Sequence, residues 1–338
     1  MVKIDKKTLF GVLVSLFFLV LLLKKIDFGQ LIAALRQFDV RYLVPAVLST
    51  FASYFLRAVR WQYLLMHEKK VSLGSAYSAT IIGYMANNIF PARLGEFIRA
   101  WVLAEKESLK APKIFASLVI DRLFDGATVL LMLVLALATI TLPTGMERNA
   151  DLLKMGGYAT LVFYLLVLVG LFLLKTRTMW MLRIIGKLLR PFPQKISDKI
   201  IPLLGNFIEG IKISGKLSHL FVVLVSSMLI WLFAVWPVDL VLKGFGITLP
   251  FSSSLFIMVL LVFAVMIPSA PGFIGTYHMA CYTGLSAFKV ADDKAVSIAI
   301  VIHGLAFFPV ILAGFYHLWA GGLTLKRIES SADSGAIP

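Results

Sequence analysis

Apolar residues in this chain fall in long unbroken stretches, not in the alternating or one-sided stripes of a water-soluble domain. Thr8–Leu23, Tyr42–Val59, Ile114–Leu142, Gly156–Leu174, Leu217–Leu242 and Ala295–Ala320 are such stretches. Each suits a helix crossing a hydrocarbon core of about 30 Å, which takes about 20 residues at a rise of 1.5 Å. Two further regions differ. Leu73–Phe90 stops at Pro91 and resumes as a shorter, charged segment to about Ala104, and Phe251–Ile267 stops at Pro268 and resumes as Gly272–Phe288. Proline removes a helical donor and glycine weakens the helix, so each region predicts two short helices meeting at a break. Such a pair enters and leaves on one face of a membrane as a re-entrant hairpin, over about residues 73–111 and 251–288.

Composition agrees with hydrocarbon as the solvent. Of 338 residues 59% are hydrophobic and only 15% charged, where a soluble domain carries about 25%. The net charge of +15 is spread between apolar runs and builds no basic face, which excludes nucleic acid as a partner. About two-thirds of the lysines and arginines fall on one side when the N-terminus is placed in the cytoplasm and both hairpins are re-entrant. In that count Arg57 and Arg60 belong to a cytoplasmic flank, while Arg93 and Arg122 stay at membrane depth. The basic, semi-apolar segment Lys175–Lys216, cut by Pro191, Pro193 and Pro202, reads as amphipathic helices on the cytoplasmic leaflet. The single cysteine, Cys281, excludes an intrachain disulfide and a cysteine metal cluster. Thr8–Leu23 is followed by Lys24–Lys25 without a small-residue cleavage site, so it reads as a retained span. Residues 1–328 are expected to form one transmembrane domain, and 329–338 a disordered tail.

The two broken regions share a pattern. Pro91-Ala-Arg-Leu-Gly95-Glu-Phe97 and Pro271-Gly-Phe-Ile-Gly275-Thr-Tyr277 both read P-x-x-x-G-x-aromatic. Each lies between two spans, and the predicted topology makes the units inverted copies. Inverted repeats with broken helices at the midplane are the build of many transporters. Pro91, Gly95, Pro271, Gly272 and Gly275 are the expected hinges.

An ionised side chain near the bilayer centre costs about 2.5–3.5 kcal/mol on insertion scales, so it faces a cavity or a partner. Arg93, Glu96 and Arg99 are spaced three apart after Pro91. Asp121, Arg122 and Asp125 lie about two turns into the span from Ile114. Asn87 and Asn88 add polar groups at the first tip, and Tyr277 and His278 follow the Gly275 break, with His303 inside the last span. These charges either pair only with one another, as a structural network, or leave guanidinium groups free for a phosphate, which arginine grips bidentately. Trp61, Trp101, Trp180, Trp236 and Trp319 are assigned to interfacial belts without chemistry. Asp239 is expected to meet Lys243, four residues on. A GxxxxGK[ST] loop, H-E-x-x-H and G-x-S-x-G are absent from the sequence.

At these residues the chain resembles a known family. Arg57–Leu65 (RAVRWQYLL), Asn87–Ala100 (NNIFPARLGEFIRA), Ser117–Gly126 (SLVIDRLFDG) and Pro268–His278 (PSAPGFIGTYH) look like the lysylphosphatidylglycerol synthase transmembrane-region family. This is the flippase-like domain of the multiple peptide resistance factor. The resemblance implies a prokaryotic cytoplasmic membrane protein that flips a phospholipid or isoprenoid-linked lipid. By position, Arg93, Gly95, Glu96 and Arg99 match its first motif, Asp121, Arg122 and Asp125 the second, and Pro271, Gly272 and Gly275 the third. Full-length synthases carry a soluble aminoacyltransferase domain; this sequence ends at Pro338 without one, so lysyl transfer is not expected.

The expected fold is an all-α integral membrane bundle of about six full spans plus two opposed re-entrant hairpins, with both termini cytoplasmic. The expected activity is movement of an anionic phospholipid or polyprenyl-linked headgroup held by Asn87, Asn88, Arg93, Glu96, Arg99, Asp121, Arg122, Asp125, Tyr277 and His278. Glu96, Asp121, Asp125 and His278 are the candidate proton carriers. No cofactor and no metal are expected. Partners are membrane lipids, with a second copy or a lipid-synthesis enzyme as protein partner. The rival readings are a membrane-embedded lipid-modifying enzyme and a scaffold for a separately encoded synthase.

Overall fold

The computed structural model describes residues 6–23, 28–90, 94–139, 176–189, 217–267 and 269–323, with isolated positions between 162 and 173. The span expected at Gly156–Leu174, the hinge Pro91, Arg93, residues 190–216 and the tail from 324 lie outside the described residues or are only sparsely described. The described residues are helical throughout, without strands. They form α1 (Lys6–Leu23), α2 (Phe28–Arg36), α3 (Leu43–Leu65), α4 (Leu73–Ile89), α5 (Gly95–Glu107), α6 (Ala111–Thr139), α7 (Thr178–Leu189), α8 (Leu217–Gly244), α9 (Phe251–Met266), α10 (Thr276–Ser286) and α11 (Asp292–Ala320). Short 3-10 turns occupy Val40–Tyr42 and Pro271–Phe273. Helices with the length and composition to cross a membrane are Val40–Leu65, Leu217–Gly244 and Asp292–Ala320. Large apolar side chains stand exposed along them, such as Leu48 at 65% and Leu312 at 70%, while arginine and aspartate are buried. That inside-out distribution suits lipid as the surroundings.

The hairpins break for one physical reason. A residue before proline is pushed out of the α region by the pyrrolidine ring. Phe90, before Pro91, has ψ 145°; Ile267, before Pro268, has ψ 129°; Ala270, before Pro271, has ψ 157°. After each break the chain folds back. α4 and α5 are antiparallel: the Gly95 amide donates to Asn87 Oδ1 at 2.9 Å at the tip, and the Ser72 amide donates to Glu107 Oε1 at 3.1 Å at the base. Lys69 closes the base further, with Nζ 3.1 Å from Glu107 Oε2. Close approach depends on Gly83 and Gly95, since a Cβ on Gly95 would run into the Gly83 carbonyl and the Asn87 side chain. In the second hairpin α10 lies back on α9, with Gly284 against Ile257 and Leu260. Gly275 has φ 91°, and the Ser15 carbonyl of α1 stands where its Cβ would be.

Contacts between helices obey an exchange symmetry. Swapping α3 with α8, α4 with α9, α5 with α10 and α6 with α11 maps the main packing pairs onto one another: α4–α11 becomes α9–α6, and α5–α6 becomes α10–α11. The pair on the symmetry axis, α3 and α8, runs antiparallel. Ser49 Oγ donates to the Phe233 carbonyl at 2.8 Å and Ser53 Oγ to the Ile230 carbonyl at 2.9 Å. Two like units whose shared helices are antiparallel are inverted relative to each other. Small serines and alanines let these helices approach closely, the usual basis of helix packing in lipid. The turn Pro271–Phe273 packs on α4, so the second hairpin's tip reaches the first hairpin.

Two short helices extend the picture. The loop expected between the first two spans contains α2, whose Leu31 and Leu35 pack on the second-half core beside α11. α7 lays Met181 and Ile185 against Leu64, Ala116, Ile120 and Val223 and leaves Trp180 and Arg183 exposed.

Candidate functional site

Four helices converge on a buried ion network. α3 supplies Arg57 and Arg60, α5 supplies Glu96 and Arg99, α6 supplies Asp121, Arg122 and Asp125, and α8 supplies Ser227 and Trp231. Asp121 and Asp125 are one turn apart, so both carboxylates leave the same face of α6. α3 presents its polar face to them.

Arg60 is the hub. It is fully buried, and its Nε donates to Asp121 Oδ1 at 2.8 Å, its Nη2 to Asp125 Oδ1 at 2.8 Å and its Nη1 to Ser227 Oγ at 3.0 Å. Arg57 donates to Asp125 Oδ2 at 2.8 Å, with its guanidinium near the Tyr84 and Trp231 rings. Trp231 Nε1 donates to Asp125 Oδ1 at 3.2 Å. Arg99 Nη1 donates to Asp121 Oδ2 at 3.1 Å, and its carbon centre lies 4.0 Å from the centroid of the Trp61 ring. Charge-assisted bonds of this density compensate the cost of removing the ions from water.

Arg122 differs from the other three. Its Nη1 donates to Asp125 Oδ2 at 2.9 Å, its Nη2 sits 2.7 Å from Glu96 Oε1, and Nη2 also reaches the Tyr84 hydroxyl at 3.2 Å. Its side chain keeps 37% of its surface open and that of Glu96 26%, against 7% or less for Arg57, Arg60, Arg99, Asp121 and Asp125. The network therefore has a closed interior and one open end. Among the described residues it holds four guanidinium groups against three carboxylates. Arg99 Nε and Nη2, Arg122 Nε and Glu96 Oε2 are buried without a hydrogen-bond partner. Cation is in excess, and donors are spare.

Several expectations meet their outcome here. Glu96, Arg99, Asp121, Arg122 and Asp125 come together as one network, with Glu96 on Arg122. Asn87 serves as the cap of α5, and Asn88 lies half-buried beside it. Tyr277 and His278 do not join: Tyr277 packs on the His303 ring at 5.0 Å, and His278 meets His303 at 4.7 Å. His303 Nε2 lies 2.7 Å from the Gly272 carbonyl. Asp239 and Lys243 pair at 2.8 Å.

Two assignments are corrected. Arg57 and Arg60 are not on a loop flank, because α3 continues to Leu65, past the apolar stretch, and carries both into the interior. Trp61 is no interfacial anchor; it is fully buried, donates from Nε1 to Ser117 Oγ at 2.8 Å and forms the floor under Arg99. A signal for these residues exists in the spacing Ser49, Ser53, Arg57, Arg60, which marks one polar helical face.

Apolar exteriors, inverted helical units and a buried ion network define an integral membrane protein. The chain belongs to the lysylphosphatidylglycerol synthase TM region family, whose model matches residues 8–314. It is 24% identical to Glycosyltransferase AglD of Haloferax volcanii, over 96% of this chain and 56% of that protein, so it spans little more than half of that relative's length. It is 27% identical to UPF0104 membrane protein PH1989 of Pyrococcus horikoshii, over 84% of this chain and 88% of the relative. A UPF0104 membrane protein of Methanothermobacter thermautotrophicus is 23% identical, over 85% of this chain and 87% of the relative. No solved structure matches the chain.

Proposed function

We propose that this protein moves an anionic lipid headgroup between the leaflets of the cytoplasmic membrane, with the phosphate received at the open end of the network. One observation carries the reading: the described network holds four guanidinium groups against three carboxylates, its one partly open arginine is Arg122, and buried donors on Arg122 and Arg99 have no protein partner. A lipid phosphodiester is a single negative charge with oxygens placed for arginine, and it neutralises the surplus. Arg57 and Arg60 hold the scaffold. Arg99 joins them in the closed interior, and Arg122 receives the headgroup because it is the open one. We read both hairpins as re-entrant, since their arms of 17 and 13 residues, and of 16 and 11, fall short of a full crossing. Rocking of one inverted unit against the other would expose the site to each leaflet in turn. Family membership supports a role in lipid handling.

The name glycosyltransferase belongs to a relative of which the shared helical region is little more than half, and it keeps a lipid-modifying enzyme in view. The test separates the two. Pure protein is reconstituted in vesicles carrying head-labelled phosphatidylglycerol or phosphatidylcholine, and label access to an impermeant reductant is followed. Faster exchange of the anionic lipid, with its mass unchanged, is expected. A new lipid mass, or equal rates for both lipids at the protein-free level, would refute translocation.

A further inference from the structure

The network's carboxylates are not equivalent in how they are held. Asp125 accepts from Arg60 and Trp231 on one oxygen and from Arg57 and Arg122 on the other. Asp121 accepts from Arg60 on one oxygen and Arg99 on the other. Protonating an aspartate oxygen would break charge-assisted bonds inside a closed interior, two at either oxygen of Asp125 and one at either oxygen of Asp121. Glu96 has a single charged partner, Arg122 Nη2, through Oε1; its Oε2 has none. It also sits at the open end, in the first turn of α5, beside the break between the hairpin arms. The charged and titratable groups around it are Arg122 from α6, the Tyr84 hydroxyl from α4 on the same Arg122 nitrogen, and Asp125 behind the guanidinium. On its own helix Arg99, one turn on, is turned to Asp121.

We propose that Glu96 is the protein's internal substitute for the lipid phosphate on Arg122, and that headgroup binding exchanges this carboxylate for the phosphate with uptake of one proton by Glu96. The inference rests on the lipid reading above and adds the coupling to it. In the empty site the Glu96 carboxylate occupies the Arg122 Nη2 donor. A phosphodiester oxygen takes that donor, and the displaced carboxylate binds a proton from the water on that side, forming a neutral acid. The balance is one O–H bond formed on Glu96 and one ion pair exchanged for another, so the net charge of the site rises by one proton and falls by one lipid anion. Arg122 stays anchored throughout, because Asp125 keeps its Nη1. Release to the other leaflet returns the proton there, which ties lipid movement to proton movement in the same direction and lets a proton gradient drive it. Without the proton, an ionised Glu96 and a phosphate would compete for one guanidinium, and like charges would oppose loading.

The experiment uses the full chain in detergent in weakly buffered solution, with dihexanoyl-phosphatidylglycerol as probe and proton uptake read alongside binding. Wild type is expected to take up close to one proton per lipid bound where Glu96 starts ionised. Its affinity should tighten about tenfold for each unit fall in pH there, as one-proton linkage requires. Glu96→Gln should bind several-fold more tightly, with neither proton uptake nor that pH dependence. If Glu96→Gln does not fold, the wild-type slope alone decides, and a flat slope overturns the proposal. Saturable binding without proton uptake would overturn the exchange and leave the lipid reading standing. Absence of any saturable binding would overturn both. The same binding and uptake with inorganic phosphate alone would move the site from lipid to free phosphate and overturn the lipid coupling.

Discussion

The two inverted units share a framework and differ in what fills it. In the first, the glycine that opens the second hairpin arm, Gly95, gives its amide to Asn87, and charged pairs tie α3, α5, α6 and α8 together. In the second, the equivalent Gly275 gives its amide to His278 Nδ1 at 3.4 Å, and the neighbours are Tyr277, His303 and Phe307. The corresponding helix α11 carries a histidine there and no buried aspartate. One unit is cross-braced by ions, with guanidinium groups in excess among the described residues. The other is held by apolar packing, a titratable clamp and two glycines of positive φ, Gly272 and Gly275. Shared topology therefore fixes where the units meet, and side-chain chemistry sets how each is held: the first by buried ion pairs, the second by apolar packing.

That division breaks hardest at Asp125. Asp125→Ala leaves Arg57, Arg60 and Arg122 short of their shared partner and should cost about 3–5 kcal/mol, as lone buried charges do. Loss of the monodisperse, cooperatively melting species in detergent checks it, and a near-native melt would show that the brace is dispensable. Next come the glycines. Gly95→Val drives a side chain into the Gly83 carbonyl, and Gly275→Val forces a positive φ against Ser15. Each should cost about 1–3 kcal/mol. Amide exchange should rise at the tip of the altered hairpin and far less at the other. The caps give the smallest effect. Asn87→Ala and His278→Ala should each cost about 1 kcal/mol, but only one clamp responds to acid. An imidazole accepts the Gly275 amide only while its Nδ1 is unprotonated, so lowering the pH from about 7 to about 3 should loosen the second tip and spare the first. Amide exchange at Gly95 and Gly275 across that range measures it, and parallel behaviour would erase the contrast.

Much of this framework was legible in the residues. Long apolar runs announced the major helices, and Pro91, Pro268 and Pro271 announced the breaks, because steric restriction before proline is local and needs no tertiary knowledge. α2 was hidden. It has nine residues, flanked by Lys24, Lys25 and Arg41, and charge made it resemble a loop although Phe28, Leu31, Ile32 and Leu35 keep helical spacing. The site was half legible. Asp121, Arg122 and Asp125 stand out because apolar residues surround them in sequence. Arg57 and Arg60 do not, since they sit at the end of the apolar run and look like flanking charge; only packing against α6 and α8 turns them inward. Trp61 is hidden for the same reason. What sequence could not convey was rank. The distinction between a locked Asp125 and an open Glu96 depends on how many donors reach each oxygen, which is a property of four helices together.

The central claim is that Arg122 receives the headgroup while the interior arginines hold the frame. It is tested most directly by the translocation rate of labelled phosphatidylglycerol in vesicles containing equal amounts of folded wild type or Arg122→Gln. Because Asp125 keeps Arg57 and Arg60, the variant should fold and yet fall to the rate of protein-free vesicles. A folded Arg122→Gln protein that moves the lipid as fast as wild type would contradict the account.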